Sequence, residues 1–346
     1  MTFEELLGGL PRQTHEEWAA RAEKEWRGRP SAAFAKTLGR DVGGAEVAVG
    51  PFAATSEARH AISRPARATW VPLSDLRVLG DALTPEDALS ELEGGAQGLC
   101  LDAGQLPRLA GSGEVIRYDY LTLEIHGVDL RTRATLLDVV PEGQRAGVRL
   151  CLRERVGDEG SWRSEALAFP KARRVYQPPP AGNAVDYCSG VLRELEAPRG
   201  KPALRGHGNL TGGLALPLPS DYLDALTVLG AVDLLWANVS ALHEVAPTPL
   251  YLSAHVAPSD ATETPEAYLI DASVRALAAV SAGVDALVIT PSSSSVEHRR
   301  QARNLQQLML LEAGLAQRPD VLTGAAWFEE AIIAVAQAAW GTQGND

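Results

Sequence analysis

From Ala68 onward, short apolar runs alternate with stretches whose apolar positions recur every three or four residues. Eight runs read as strands: ATWVPL from 68, GLCLDA from 98, YLTLEI from 120, VRLCLRERV from 148, ARRVYQ from 172, LTGGLALPL from 210, PLYLSAHV from 249 and DALVIT from 285. Helical patterns fill most of the gaps. TPEDALSELEGG has Thr84 placed as an N-cap, Pro85 at the first helical position and Gly94 as a stop, and Thr264-Pro265 repeats the device in TPEAYLIDASVRALAAVSAG. Strands and helices alternating over about 275 residues predict an α/β fold, a (β/α)8 barrel, with any active site where strands end and the following loops begin. An open doubly wound sheet is the alternative. The stretch from 145 to 180, where no helical pattern separates two strands, fits the barrel least well.

The N-terminal part reads differently. Thr14 is followed three residues later by Glu17, a capping-box signature, and Trp18, Ala22 and Trp26 then fall at four-residue spacing on one helical stripe. That stripe packs either on the chain's own core or on another subunit, which makes Trp18 and Trp26 the interface candidates. Gly28 to Arg67 is rich in Gly, Ala and Pro and reads as an arm. The division expected is therefore an N-terminal helix and extended arm, 1–67, followed by the barrel, 68–346.

Composition narrows the partners. A chain of 346 residues with 45% hydrophobic side chains can bury one large core. With 44 acidic against 32 basic side chains, the net charge of −12 disfavours nucleic acid or an anionic membrane as a partner, because both call for clustered Lys and Arg. Cys100, Cys151 and Cys188 are odd in number and far apart, so neither a disulfide framework nor a zinc motif is encoded, and a reducing cytoplasm fits. The first residues lack the basic start and apolar run of a secretory signal, and no apolar stretch approaches the roughly 18 residues of a membrane span.

The C-terminal residues carry a family likeness. HRRQARNLQQLMLLEAGL followed by GAAWFEEAIIAVAQAAW resembles the end of the barrel domain of methylmalonyl-CoA mutases, with Arg300, Ala302, Arg303, Asn304, Gln306, Glu312, Gly324 and Trp340 keeping its pattern. VRALAAVSAGVDALVITP, LLWANV and HEEWAARAEKEWRG are similar to further segments of that family, in the same order. From the residues alone, Ala302, Leu305, Leu308, Met309 and Leu315 form a core-facing stripe, and Arg303 and Asn304 cap or cross-link helices on the barrel's outer wall.

What the resemblance implies is a radical rearrangement of a CoA thioester with adenosylcobalamin, held in that family by a separate C-terminal domain whose D-x-H-x-x-G motif supplies the lower cobalt ligand. None of the seven His here has Asp two residues before it, and the sequence reaches Asp346 soon after the barrel pattern ends. No cofactor is expected on this chain. Catalytic members end their fifth barrel strand with Tyr-His-x-Gln-Glu-Ala-Gly. Aligned on Ala181 and Gly182, Tyr falls on Tyr176, His on Gln177, and Gln-Glu on Pro179-Pro180. Gln177 has no titratable proton, and Pro178, Pro179 and Pro180 remove three backbone donors. The family's basic helix K-L-R-A-A-R-R-L-W becomes Val228 to Trp236, with Gly230 and Asp233 at two cationic positions, and another Arg becomes Asp271. Lost cations raise the cost of bringing CoA phosphates into the barrel. The resemblance therefore implies the non-catalytic small subunit of a heteromeric mutase, partnered with a larger cobalamin-bearing catalytic subunit or self-associated in its absence. A self-standing barrel that senses an acyl-CoA or a small acid, and a cobalamin-independent enzyme, are the other readings.

Remaining polar constellations are weaker. His126, at the third strand, and His255, near the end of the seventh, are degenerate-site candidates with Tyr176 and Gln177, and Asp102 ends the second strand. PSSSS at 291–295, with Arg299 and Arg300 soon after, sits where barrels bind phosphate. RGHGNLTGG precedes a strand and lacks a Walker lysine, so it reads as a loop.

Overall fold

The computed structural model describes residues 14–26, 29–50, 69–129, 132–154, 168–178, 181–196, 212–242, 250–258, 264–315 and 325–342. Eight parallel strands close into a barrel: β3 (Val71–Asp75), β4 (Gly98–Asp102), β5 (Thr122–Val128), β6 (Arg149–Glu154), β7 (Arg173–Tyr176), β8 (Gly212–Pro217), β9 (Tyr251–Val256) and β10 (Ala286–Ile289). They run in sequence order around the barrel, and β10 closes it by pairing with both β3 and β9. The fold is the (β/α)8 barrel, and the open-sheet alternative falls. β6 and β7 pair directly, so the doubtful stretch holds two neighbouring strands.

The outer layer is helical: α2 (Pro85–Glu93), α3 (Thr132–Val139), α4 (Ala184–Glu196), α5 (Tyr222–Leu242), α6 (Pro265–Ser281), α7 (Val296–Gln307) and α8 (Ala326–Gly341), preceded by α1 (His15–Glu25). Their ends follow the expected chemistry. The Thr84 hydroxyl accepts from the Asp87 amide, Thr264 does the same for Ala267, and Thr14 with Glu17 forms the full capping box of α1. α5 corrects one expectation, because its 21 residues are long and apolar enough to cross a bilayer. It is apolar around most of its circumference because it is buried in the barrel wall, packed against α4, α6 and α8. Gly230 lies in that packing, where a Cβ would come within 2.2 Å of the Ile332 side chain of α8, so the cationic position of the mutase-like pattern is here a helix contact.

The arm also differs from the expectation. Part of it is a hairpin, β1 (Lys36–Arg40) with β2 (Glu46–Val49), that packs on α4 and α8 and buries Leu38 and Val49 completely or nearly so. Trp26 stacks on Phe34 with ring centroids 4.2 Å apart, so one face of this interface candidate is covered within the chain. The Trp18 side chain lies outside the described residues, as do Pro179 and Pro180.

Alternate strand residues divide the core. Tyr176 belongs with Leu214, Leu216 and the helices in the outer layer, whereas Leu73, Cys100, Cys151, Val175, Ala215, Tyr251, Ala286 and Val288 pack inside the barrel. Arg173 adds to the interior, its guanidinium 4.3 Å from the centre of the Tyr251 ring. Gly98 is needed where β4 leaves the bottom layer, since a Cβ there would sit 2.1 Å from the Thr122 carbonyl oxygen of β5.

Candidate functional site

Polar residues gather inside the barrel toward the C-terminal ends of its strands. Glu124 of β5 is fully buried, and its carboxylate meets two histidines from opposite walls: His126 of β5 donates from Nε2 at 2.8 Å, and His255 of β9 places Nε2 at 2.6 Å. Ser253 of β9 donates to the other oxygen at 2.5 Å. The two imidazole rings lie 5.3 Å apart. His126 and His255, both candidates from the sequence, thus converge.

A second group sits against His126. Arg77, just past β3, approaches Nδ1 through Nη1 at 3.0 Å, and Arg153 of β6 approaches the same nitrogen at 3.1 Å. Arg77 is also clamped by Asp75, with Nε to Oδ1 at 2.8 Å and Nη2 to Oδ2 at 2.6 Å, and Thr290 donates to Asp75 at 2.6 Å. A guanidinium has donors only, so Nδ1 must carry the lone pair and Nε2 the proton. His126 is therefore held neutral, its proton directed at Glu124.

The electrostatics follow. Burial, together with the Arg77 and His255 charges, outweighs the pull of Glu124 and lowers the His126 pKa. Burial alone would raise Glu124, but the contacts with His255 and His126 hold it well below the usual carboxylate range. Burial likewise opposes ionisation of Asp75, but Arg77 and Thr290 outweigh it and its pKa is lowered. Burial, then the Asp75 charge, push the Cys100 thiol well above its ordinary value, so it is no nucleophile although its sulfur lies 3.7 Å from His126 Nε2.

Cys100, Glu124, His126 and His255 offer donor atoms within 4.8 Å of one another, the spacing a metal ion would need. The surroundings do not suit one. A ligating imidazole donates its other N–H to an acceptor, whereas His126 is capped by two cations that fix its proton on the would-be ligand nitrogen. We expect zinc or nickel at micromolar concentration to leave the melting temperature unchanged. A metal-dependent rise lost in Cys100→Ala would show that the cluster rearranges to ligate.

The other candidates are placed as follows. Asp102 is exposed at the end of β4, outside the cluster. Tyr176 faces the outer core, and Gln177 follows it, half-buried beside the buried Pro178. Of the two cations beside the serine loop, Arg300 is exposed on α7 and Arg299 is already engaged. Ser295 caps α7 through the His298 amide, and Arg299 is buried, bonded to Asp87, Glu91 and the Ser294 carbonyl. Arg303 bonds Glu91 and so cross-links α7 to α2 as expected, while Asn304 is exposed. Glu124, Ser253, Asp75, Arg77 and Arg153 were not anticipated. The signal was available in part: Glu124 and His126, Ser253 and His255, and Cys151 and Arg153 are each two residues apart in a strand, hence on one face.

Fold and site together define a (β/α)8-barrel protein with a buried ionic cluster at the C-terminal mouth. No family model matches the chain, and no curated protein does. Among solved structures it is similar to the dihydropteroate synthase of Stenotrophomonas maltophilia, 13% identical over 70% of this chain and 94% of that one, with a TM-score of 0.43. The Thermus thermophilus dihydropteroate synthase is 16% identical over 71% and 94%, with a TM-score of 0.43. The carboxyl transferase domain of Rhizobium etli pyruvate carboxylase is 12% identical over 81% and 49%, with a TM-score of 0.40. Similarity at these values carries no argument about activity.

Proposed function

We propose that this chain is a non-catalytic barrel subunit resembling the small subunit of heteromeric methylmalonyl-CoA mutases, working beside a larger chain that carries adenosylcobalamin. The observation that supports it most is the end of β7, the fifth barrel strand. Tyr176-Gln177-Pro178 stands there, where catalytic members of the family keep a histidine for the thioester carbonyl. The filled interior agrees with it, because a thioester entering the barrel would meet Arg173 stacked on Tyr251. The histidines whose side chains are described do not fit cobalt. His126 and His255 are buried on Glu124, and His298, in the first turn of α7, bonds Ser293. No step is therefore routed through cobalamin on this chain.

The test is to purify the chain alone and together with a larger mutase chain from the same genome. Alone, it should show no cobalamin spectrum, no mutase activity, and acyl-CoA binding no tighter than millimolar, about −4 kcal/mol. Together, the two should elute as one stoichiometric complex. Stoichiometric adenosylcobalamin on this chain by itself, or micromolar acyl-CoA, would overturn the reading. A second reading, a self-standing barrel that binds a small acid, is favoured by one observation: Arg153, His126 and His255 converge at the mouth.

A further inference from the structure

Two guanidinium groups share one acceptor at the barrel mouth, and among the described residues only one of them has a carboxylate within ion-pair distance. Arg77 is neutralised by the bidentate contact with Asp75. Arg153 bonds His126 Nδ1 through Nη1, and among the described residues no carboxylate lies within ion-pair distance of it. Glu124 cannot serve, because it lies on the far side of the His126 ring with both oxygens engaged by His126, His255 and Ser253. Asp102, paired in register with His126 on the neighbouring strand, is exposed.

Arg153 is half-buried, so its charge is partly stripped of water, and among the described residues Glu124 and Asp102 act on it only from beyond ion-pair distance. Holding it beside a second cation is unfavourable, and burial together with the nearby Arg77 lowers its pKa. Such an arrangement becomes favourable when an anion completes it. With Nη1 spent on His126, the Nε–Nη2 edge is left, and that edge presents two parallel N–H groups matched to two oxygens of a carboxylate or phosphate.

We propose that the mouth of the barrel is an oxyanion site in which Arg153, oriented by His126 and Arg77, clamps the carboxylate or phosphate group of a small ligand. The proposal deepens the small-acid reading of this barrel and stands apart from the subunit reading. His126 is a positioning residue here. Its neutral ring holds one nitrogen of the guanidinium and so aims the free edge outward.

Thermal melting of the full chain in sodium chloride, acetate, malonate and phosphate at matched ionic strength provides the test, for wild type, Arg153→Gln and a surface control, Arg108→Gln. A ligand bound only by the folded state should raise the wild-type melting temperature by several degrees at saturation, and equally that of the control. Arg153→Gln should respond no more to that anion than to chloride. A malonate or acetate response without a phosphate response assigns a carboxylate, and the reverse assigns a phosphate. An equal rise in Arg153→Gln would overturn the Arg153 site while leaving the small-acid reading standing. The absence of any anion-specific rise in wild type would overturn both. If Arg153→Gln does not fold, the ring ¹⁵N resonances of His126 in wild type decide, since phosphate or malonate must shift them for the proposal to hold.

Discussion

Replacing Glu91 with alanine should lower the stability of the chain by about 3–5 kcal/mol, the range for removing one partner of a buried ion pair. Glu91, on α2, is 2% exposed and faces α7. It accepts from Arg299 Nε at 3.2 Å, Arg303 Nη1 at 2.7 Å and Ser74 at 2.7 Å. Both arginines are themselves buried or nearly so, and without Glu91 the guanidinium of Arg303 would have no carboxylate among the described residues. Arg299 would keep Asp87 and the Ser294 carbonyl, so Arg303 carries most of the loss. Urea unfolding of Glu91→Ala and of the double variant Glu91→Ala/Arg303→Met checks the attribution. The double variant should recover a large part of the loss, because it no longer leaves a cation buried alone. An equal loss in both would mean that the packing of α2 on α7, and not the charge, is what Glu91 secures. Arg299 and Arg303, in the stretch of α7 that carried the family likeness, are thus tied to α2.

The barrel was legible because its strands are short apolar runs set between capped helices, and two of those caps, Thr84 and Thr264, stand where they were expected. The hairpin at 36–49 was not, because its strands have only five and four residues and Gly39 dilutes the pattern of the first. Only the DVGG turn between KTLGR and AEVAV hinted at it. α5 escaped notice as a long apolar helix because Asp224 and Asp233 interrupt its sequence, although packing on three helices buries most of it. The mouth was half legible. His126 and His255 drew attention as polar residues in apolar strands, but they sit on β5 and β9, four strands apart around the barrel, and nothing local tells that their rings meet. Closure of the barrel creates that contact. Arg77 and Arg153 were missed for the same reason, since each gains its meaning from a nitrogen on another strand.

Acid should unfold this protein through the same cluster, and Glu124 should account for much of the effect. The groups that face one another there are Glu124, His126, His255, Arg77, Arg153, Asp75 and Cys100. His126 has its folded pKa below the ordinary 6.5, so its contribution to stability is complete above that value and is lost as pH falls below it, when the unfolded chain takes up a proton the folded ring resists. Glu124 is held well below the ordinary 4.5, and Asp75 below 3.8, so theirs is complete above those values and is lost as pH falls toward the folded ones. All three act in one direction, and stability should fall in two stages on acidification, first below about pH 6.5 and then more steeply below about pH 4.5. Glu124→Gln keeps an oxygen for both imidazole donors but removes the charge. It should be destabilised by about 1.5–3 kcal/mol at pH 7, the scale of a hydrogen bond to a charged group, and it should lose the second stage in part, with Asp75 supplying the remainder. Glu124→Ala, which strands His126, His255 and Ser253 together, should cost more than Glu124→Gln at every pH. Urea unfolding of wild type and both variants between pH 7 and pH 3.5 makes the comparison. Parallel curves for wild type and Glu124→Gln below pH 4.5 would mean that Glu124 is already protonated in the folded protein. The His126 proton would then be donated to a neutral carboxyl, and the charge balance assigned to the mouth would have to be redrawn around Asp75 alone.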